Sequence, residues 1–291
     1  MSKLLEDKSI LITGSGRGIG KALALGLADH GASIILTSRT QQEIDETKKL
    51  IEEKGQNAIA ITSDVAKYEQ IKDVISKGIQ EYGQIDVLIN NAGFSKIKPI
   101  HRLRVKEFQD MINTNITGVY NGTHAVISHM KERKKGCILN TGSMAVDMAL
   151  AGWSVYAMTK GALIPFTNCL AEELKREKIR VNTIMPNMVH TPMLHAGRTQ
   201  EQIEALNAIQ PEALVPYYAF LASDKAKRIT GQNINVDAME RVLKFREQLP
   251  EDKQKDASWS DIDDIVKENM KYEHYKVARK CKKLIRYLLA K

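Results

Sequence analysis

Cysteine is scarce in this 291-residue chain, and the three that occur form no CxxC pair. They are Cys137, Cys169 and Cys281, an odd number with wide spacing. This pattern excludes a disulfide scaffold and argues against a zinc site, so we expect no bound metal. Free cysteines are most often small buried apolar side chains, and we expect that of all three.

Long apolar runs are also absent, since no stretch approaches the roughly 18–20 residues needed to span a bilayer. The first residues, MSKLLEDKSI, contain acids and no apolar signal segment. We therefore expect a cytoplasmic protein. Aromatic residues make up only 5% of the chain, but its 43% hydrophobic and 27% charged residues are close to globular averages, which excludes a disordered or fibrous chain.

Acidic residues are fewer than basic ones, and the formal net charge is +8. The excess is concentrated at the end, because residues 267–291 hold nine Lys or Arg against Glu268 and Glu273. The rest of the chain is close to neutral. A general basic patch for DNA is therefore absent, and we expect no nucleic-acid partner.

Short β-branched runs alternate with helical patterns over the first 237 residues. The strand candidates are 9–13, 33–37, 58–62, 87–90, 137–141, 180–184 and 233–236. The main helical patterns are 21–30, 41–54, 68–82, 114–131 and 155–177. Strands with a continuous apolar character suit a sheet that is covered on both faces. The alternation predicts an α/β fold with a doubly wound, seven-stranded parallel sheet and helices on both faces.

The composition changes after Asp237. Residues 248–260 contain Pro250, several charges and no apolar periodicity, which is typical of a linker or an exposed turn. From Ile262 to Leu288, apolar residues recur at helical spacing. We expect residues 1–237 to form the main domain and residues 238–291 a helical extension. We favour packing of its final apolar stripe on the same domain or on a neighbouring subunit over contact with an anionic membrane surface.

A glycine-rich turn follows the first strand candidate directly. Its residues are Gly14, Ser15, Gly16, Arg17, Gly18, Ile19 and Gly20. Glycines let the backbone approach a pyrophosphate closely, and the helix that follows presents free N–H groups and a positive dipole end. We therefore expect the turn to bind the phosphates of a dinucleotide. Its spacing is Gly14-x-x-x-Gly18-x-Gly20, which differs from the common GxGxxG.

This turn, preceded by Thr13, resembles that of the short-chain dehydrogenase/reductase family, and further family motifs follow in order over about residues 6–237. The matching positions are Asp64 and Val65, Asn90 to Gly93 (NNAG), Asn115, Ser143, Tyr156 and Lys160 (YxxxK), and Pro186 to Thr191, which is similar to PGxxxT. The resemblance implies a Rossmann-type sheet and an NAD(P)-dependent oxidoreductase. It implies cofactor contacts at the glycine turn and at Asp64, Val65, Asn91, Ala92, Gly93, Tyr156, Lys160, Pro186, Val189 and Thr191.

The YxxxK motif needs support from its surroundings, because four of the nine tyrosines have a lysine four residues later. Ser143, thirteen residues before Tyr156 at a strand end, singles out the Tyr156/Lys160 pair. Lys160 lies one helical turn beyond the phenol. A unit charge at ~4 Å and an effective dielectric of ~20 is worth about 4 kcal/mol, which lowers a pKa by roughly 3 units. We therefore predict that Tyr156 is the general acid–base.

Ser143 then serves as the hydrogen-bond donor that fixes the substrate oxygen. The resemblance implies that Lys160 also holds the nicotinamide ribose and that Asn115 holds a water of a proton relay. The predicted catalytic residues are thus Asn115, Ser143, Tyr156 and Lys160.

Arg39 bears on the choice of cofactor. An NAD site of this type has an acid at the end of the second strand for the ribose hydroxyls, but here no acid occurs before Glu43. Arg39 and Arg17 are suited to a 2′-phosphate, because arginine forms charge-assisted bonds to phosphate. We therefore favour NADP over NAD.

Two departures from the family pattern affect the substrate end of the site. Asn187 replaces the usual glycine after Pro186, and Ala238-Met239 stand where a glycine pair is common. Neither alters a proton-transfer residue. The first departure makes the geometry of the loop over the nicotinamide less predictable.

The substrate-side segments, residues 144–153 and 187–210, are apolar and rich in methionine. They contain Met144, Val146, Met148, Leu150, Trp153, Met188, Val189, Met193 and Leu194, and charged groups are sparse, with Asp147, His190, His195 and Arg198. This lining favours a small, moderately hydrophobic ketone or secondary alcohol.

Two other functions stay open. One is reduction of 3-oxoacyl thioesters on an acidic carrier, which the basic run 133–135 would meet; the other is a non-catalytic dinucleotide-binding scaffold. The family commonly assembles through the long helices after strands four and five, so we expect a homodimer or homotetramer.

Overall fold

The computed structural model describes residues 3–250 and 259–290. Seven parallel strands form one sheet in the order β3-β2-β1-β4-β5-β6-β7. The strands are β1 (Ser9–Thr13), β2 (Ser33–Thr37), β3 (Ala58–Ala60), β4 (Val87–Asn90), β5 (Gly136–Thr141), β6 (Ile179–Met185) and β7 (Gln232–Asn235). The predicted doubly wound, seven-stranded fold is confirmed. The direction of winding reverses between β1 and β4, where such folds bind their ligands.

Helices connect the strands and continue beyond the sheet. The first eight are α1 (Gly18–Asp29), α2 (Gln41–Glu52), α3 (Tyr68–Tyr82), α4 (Val105–Ile112), α5 (Gly118–Arg133), α6 (Ala145–Met148), α7 (Ser154–Gly161) and α8 (Leu163–Glu173). The remaining helices of the described residues are α9 (Pro192–His195), α10 (Gln200–Glu204), α11 (Val215–Ala222), α12 (Val236–Lys244), α13 (Trp259–Asn269), α14 (Tyr272–Lys280) and α15 (Lys282–Leu289).

Four of the five predicted helices have other bounds in the structure; α1 and α2 differ by three residues or fewer, and the other two differ more. The helix predicted over 114–131 begins earlier, at Val105, and passes through a π-helical turn at Asn113–Thr117 before α5. The helix predicted over 155–177 is divided into α7 and α8 and ends at Glu173. Pro165 has no N–H to donate to the carbonyl four residues earlier, which accounts for the division near Gly161.

The strands are buried because helices cover both faces of the sheet. On one face, Ile10 and Ile12 belong to a core cluster that includes residues of α1 and α11. On the other face, Leu11 packs in a cluster with residues of α3 and α5. Successive residues of β1 therefore point into opposite layers, as a parallel sheet requires.

The described C-terminal helices pack against the rest of the chain. Ala278, Cys281, Leu284 and Ile285 are almost fully buried and belong to the same core cluster as α1 and α11. The helical stripe is interrupted at Cys281, between α14 and α15. The basic residues around it, such as Lys280 and Lys283, are exposed. Most of the linker predicted over 248–260 lies outside the described residues.

Cys137 and Cys281 are buried as expected, but the expectation is wrong for Cys169, which is exposed on α8. This position of α8 points away from the sheet. Among the described helices, none has both the length and the apolar character needed to cross a membrane. The part of the chain that the structure describes also contains no group of three or more His, Cys, Asp or Glu side chains that would hold a metal ion.

Candidate active site

The glycine turn lies at the carboxyl end of β1 and closes against the segment after β4. Gly14 has φ +66°, and a Cβ there would lie 2.9 Å from the Ala92 Cα. At Gly20, a Cβ would collide with the Gly14 carbonyl oxygen. These two positions therefore accept only glycine. α1 begins at Gly18 with no acid in its first turn and no side-chain cap, which leaves its positive end available for an anion.

Thr13 and Asn91 hold the turn in place. The Thr13 hydroxyl oxygen accepts hydrogen bonds from the Asn91 and Ala92 N–H groups, both at 3.0 Å. The Asn91 side-chain amide donates to the carbonyls of Thr13 (3.0 Å) and Gly14 (3.2 Å). Ser15 is buried, and its hydroxyl oxygen accepts from the Thr37 N–H at 2.9 Å, which ties the turn to β2.

One open cleft runs from this turn across the carboxyl edge of the sheet. It is lined by every predicted site residue except Ser15, Gly20 and Asn115, which are buried behind its wall. The cleft also includes residues that the motifs did not indicate, among them Ser63, Ser95, Ile97 and Thr114. Their side-chain types occur throughout the chain, so no signal in the sequence distinguishes them.

At one end, the cleft is lined by Arg17, Ser38, Arg39 and Glu43. The Arg17 guanidinium lies 3.7 Å from the Glu43 carboxylate. Arg39 is exposed and forms no ion pair with the described residues. This end of the cleft therefore offers one free and one paired guanidinium.

The π-helical turn places Asn115 in the interior, as π-turns often do at functional sites. The Asn115 side-chain amide donates to the Phe94 carbonyl and to the Thr159 hydroxyl oxygen, both at 2.9 Å. Its Oδ1 accepts from the Phe94 N–H at 2.8 Å. Asn115 thus ties the segment after β4 to α7, which carries Tyr156.

Ser143, Tyr156 and Lys160 meet at the centre of the cleft. Ser143 follows β5, and its hydroxyl lies close enough to the Tyr156 phenol to act on the pKa of that group. The Lys160 Nζ donates to the Thr141 carbonyl oxygen at 2.7 Å. A point above Gly93, where a Cβ would stand, is 3.6 Å from the Lys160 Nζ and 3.8 Å from the Asn115 Oδ1. Both polar groups therefore lie on the same side of Gly93.

The expected lowering of the Tyr156 pKa is wrong for this structure. Burial raises the pKa of Tyr156, and the hydrogen bond with Ser143 offsets this only in part. Burial also lowers the pKa of Lys160 to about 8. Desolvation by burial is therefore the main influence on the pKa of both groups. The Lys160 ammonium donates to the Thr141 carbonyl and not to the Tyr156 phenol.

The loop after β6 forms the opposite wall, with Pro186, Met188, Val189 and Thr191. Asn187, which replaces the family glycine, donates its side-chain amide to the Asp237 carboxylate at 2.6 Å. Asp237 lies in the first turn of α12, so this departure attaches the loop to the start of the C-terminal helices. The Thr191 hydroxyl oxygen accepts from the Leu194 N–H at 3.2 Å and caps α9.

Fewer residues line the substrate end of the cleft than the sequence predicts. Apolar residues that line the cleft there are Ile97, Met148, Trp153, Met188, Val189, Met193 and Leu194, whereas Met144, Val146 and Leu150 do not. Arg198 lines the cleft, and Asp147, His190 and His195 do not. The observed lining agrees with an apolar substrate end.

Comparison with known proteins identifies the family. The short chain dehydrogenase family matches residues 8–202. A 3-oxoacyl-[acyl-carrier-protein] reductase of Staphylococcus epidermidis is 35% identical over 240 residues, which cover 79% of this chain and 98% of that protein.

Solved structures of the same family share the fold of this chain. A short-chain type dehydrogenase/reductase from Mycobacterium marinum has a TM-score of 0.76 at 28% identity and covers 80% of this chain and 95% of that one. A 3-ketoacyl-(acyl-carrier-protein) reductase from Brucella melitensis, complexed with NADH, has a TM-score of 0.75 at 30% identity and covers 80% and 97%. The chain belongs to the short-chain dehydrogenase/reductase family of NAD(P)-dependent oxidoreductases.

Proposed function

We propose that this protein is an NADP-dependent oxidoreductase that interconverts a ketone and a secondary alcohol, with Tyr156 as the general acid–base. The observation that carries the proposal is the single cleft that joins the glycine turn to Ser143, Tyr156 and Lys160. A phosphate-binding turn and a proton donor in one cleft are the two parts that a hydride transfer to a carbonyl requires.

The residues around the glycine turn fit a dinucleotide. The crowding at Gly14 and Gly20 leaves a cradle of bare backbone, and the uncapped start of α1 faces it. The nicotinamide group supplies the hydride when the reduced cofactor is bound. Pro186, Val189 and Thr191 would then lie along the wall of the cleft where that ring is held.

In the reducing direction, the Ser143 hydroxyl donates a hydrogen bond to the carbonyl oxygen of the substrate and holds it beside Tyr156. Tyr156 gives its proton to that oxygen as the carbon accepts the hydride, which yields the alcohol. The raised pKa of Tyr156 supports this direction, because the phenol keeps its proton at neutral pH.

Return of the proton to Tyr156 needs a path from solvent. The Lys160 Nζ and the Asn115 Oδ1 both lie on the same side of Gly93, each within 4 Å of the position that a Cβ would take there. A water between the two groups would accept from the ammonium and donate to the amide oxygen. We propose that Asn115 acts there as a positioning residue, through this water and through its bonds to Phe94 and Thr159.

The ionisation of Lys160 gives a pH prediction. Its pKa of about 8 means that the ammonium form prevails below this pH and is lost above it. Since the ammonium orients the cofactor and the proton path, we expect kcat/KM for ketone reduction to be flat below pH 8 and to fall above it. The measurement is the pH profile of kcat/KM. In Lys160→Arg the falling limb should disappear, and a limb that stays in this variant contradicts the assignment.

NADP preference is proposed from Arg39 and Arg17, whose guanidinium groups line the end of the cleft opposite the catalytic residues. Loss of a charge-assisted contact typically costs about 1.5–3 kcal/mol. We expect Arg39→Ala to raise the KM for NADPH about tenfold or more and to leave the KM for NADH nearly unchanged.

The matched control for this test is Arg176→Ala, an exposed arginine beyond the C-terminal end of α8. Steady-state kinetics with both cofactors measure the effect. The Brucella melitensis relative was solved with NADH, so the wild-type preference is part of the test. A wild-type enzyme that prefers NADH contradicts the proposal.

A second candidate, reduction of 3-oxoacyl thioesters on a carrier protein, is favoured by the names of the Staphylococcus epidermidis and Brucella melitensis relatives. One residue of the basic run 133–135, which was suggested for carrier contact, already has a partner within the chain, because Arg133 pairs with Asp86 at 2.8 Å. Lys134 and Lys135 precede β5, at the edge of the sheet opposite the cleft. A panel of ketones and acyl thioesters, with NADPH oxidation followed by absorbance, separates the two candidates. Turnover of none would favour a non-catalytic scaffold.

For the assembly, we propose a homodimer or homotetramer through α5 and α8. Tyr120 on α5 and Met158 on neighbouring α7 are large apolar side chains that are about half exposed. Symmetric association would cover them. Light scattering at micromolar concentration should give at least twice the mass of the chain, and a monomer contradicts the proposal.

We also propose that residues 1–237 form the catalytic domain and that residues 238–291 form an extension packed on it. We propose further that the protein is cytoplasmic.

A further inference from the structure

Residues 96–106, which we call the basic rim, combine a concentrated charge with exposed apolar side chains. The segment contains five basic residues and no acid: Lys96, Lys98, Arg102, Arg104 and Lys106. Outside the rim and the basic C-terminal tail, the chain has a small net negative charge. The rim is therefore a local positive feature and not a sample of a generally basic surface.

The rim lies at the substrate end of the cleft. Ser95 and Ile97, at its start, line the cleft. The Lys98 N–H donates to the Gly152 carbonyl oxygen at 3.0 Å, beside Trp153, which also lines the cleft. Leu103 packs in the small core cluster that contains Tyr156. The rim is thus built into the wall of the mouth.

Two apolar side chains of the rim face outward instead of joining that cluster. Ile100 is 66% exposed and Val105 is 83% exposed. Two more apolar side chains are 41% exposed: Met193, which lines the cleft, and Leu150, two positions after the cleft residue Met148. Packing within this chain does not explain why the mouth carries these aliphatic groups.

A buried carboxylate holds part of the rim rigid. Glu107 accepts from the Lys98 ammonium at 2.8 Å and from the Arg104 guanidinium at 3.1 Å. These hydrogen bonds lower the pKa of Glu107 to about 2, so the carboxylate keeps its charge throughout the physiological range. Lys106 pairs with Asp110. Lys96 and Arg102 form no ion pair with the described residues and are available to a partner.

We propose that the basic rim rests on an anionic lipid surface, with Ile100 and Val105 entering the boundary between headgroups and acyl chains. Lys96 and Arg102 then lie among the anionic headgroups. Basic residues around protruding apolar side chains are typical of proteins that lie on a membrane surface. The mouth of the cleft would face the bilayer, from which a lipophilic ketone enters; this last step rests on the proposed function.

A lipid surface fits better than an acidic protein because the cleft behind the rim is lined by Ile97, Met193 and Leu194. A substrate that suits this lining partitions into a bilayer. The C-terminal tail fits less well, because its apolar stripe is buried and none of the exposed large apolar side chains of the described chain lies on it.

The test is co-sedimentation of the intact protein with vesicles of phosphatidylcholine, with and without about 30 mol% phosphatidylglycerol. We expect binding only to the anionic vesicles and weaker binding at high salt. Lys96→Glu/Arg102→Glu should lower the partition coefficient about tenfold or more, and Ile100→Ser/Val105→Ser should lower it as well.

The matched control is Lys280→Glu/Lys283→Glu, which makes the same change of charge on exposed residues of the tail. It should leave vesicle binding close to that of the wild type. A loss in this control without a loss in Lys96→Glu/Arg102→Glu assigns the contact to the tail and overturns the proposal. Equal losses in both, or no binding to anionic vesicles, overturn it too, and the latter leaves an acidic protein as the partner to examine.

Kinetics distinguish a failure of this proposal from a failure of the proposed function. With a water-soluble ketone and no vesicles, the rim variants should keep the wild-type kcat/KM, since none of the four residues lines the cleft. With a ketone dissolved in anionic vesicles, Lys96→Glu/Arg102→Glu should raise the apparent KM and leave kcat unchanged. Absence of any ketone reduction by the wild type defeats the proposed function, whereas vesicle binding tests the rim independently.

Discussion

The Tyr156→Phe variant should lose about 10²- to 10⁴-fold of kcat, the range that general acid–base catalysis contributes. The substitution keeps the aromatic ring, whose centroid lies 5.8 Å from that of Trp153 in an edge-to-face arrangement. It removes the phenolic proton. The affinity for the cofactor should therefore stay close to that of the wild type. Steady-state kinetics and cofactor titration by fluorescence measure the two quantities separately.

Tyr68→Phe is a matched control, because Tyr68 and Lys72 form another YxxxK pair, on α3. The Tyr68 hydroxyl is hydrogen-bonded to His124, and Tyr68 does not line the cleft, so this variant should keep full turnover. Lys160→Ala should lose both turnover and cofactor affinity. Retention of more than a tenth of the wild-type kcat by Tyr156→Phe contradicts the assignment.

Truncation after Asp237 should produce the largest loss of stability. It removes Met239 and Val242 on α12 as well as the buried residues of α13, α14 and α15, all of which belong to the main core cluster. The apolar side chains of α11 that they cover, such as Phe220 against Tyr287 at 5.1 Å, would be exposed to water. We expect a much lower Tm and association of the truncated protein, measured by thermal unfolding and light scattering.

A point variant keeps this prediction testable if the truncated chain does not fold. Leu284→Ala removes a fully buried side chain, and such changes cost about 2–5 kcal/mol, which lowers Tm by at least about 4 °C in a chain of this size. Lys283→Ala, one residue earlier and exposed, should leave Tm nearly unchanged. Turnover of the folded Leu284→Ala variant should persist, because Leu284 does not line the cleft. Equal Tm values for both variants would show that the extension is not part of the core.

The strands and the cofactor turn could be predicted from local sequence. Each strand candidate is an apolar run between polar breaks, and the predicted bounds of β1, β2 and β4 agree with those in the structure. The glycine turn was equally clear, since its glycines follow the first apolar run directly and precede a helical pattern. These features depend on neighbouring residues along the chain, which is why local patterns indicate them.

The π-turn at Asn113–Thr117 could not be predicted, because it differs from an α-helix in hydrogen-bond spacing and not in residue type. The bond between Asn187 and Asp237 joins residues that are fifty positions apart. Asn187 was noted only as a departure from the family pattern, and its partner became clear once β6 and α12 were brought together.

The sequence by itself indicated the order of strands and helices and the position of the glycine turn, because these follow from periodicity and spacing. The family resemblance added the candidate serine, tyrosine and lysine that the structure brings into one cleft. Only the tertiary structure decided the direction of the Tyr156 pKa change, because burial and the Thr141 carbonyl that engages Lys160 both depend on packing. It also decided that Leu284 and Ile285 are buried while Ile100 and Val105 face solvent. Residue type gives the tendency of a side chain to be buried, and long-range contacts decide whether that tendency is met.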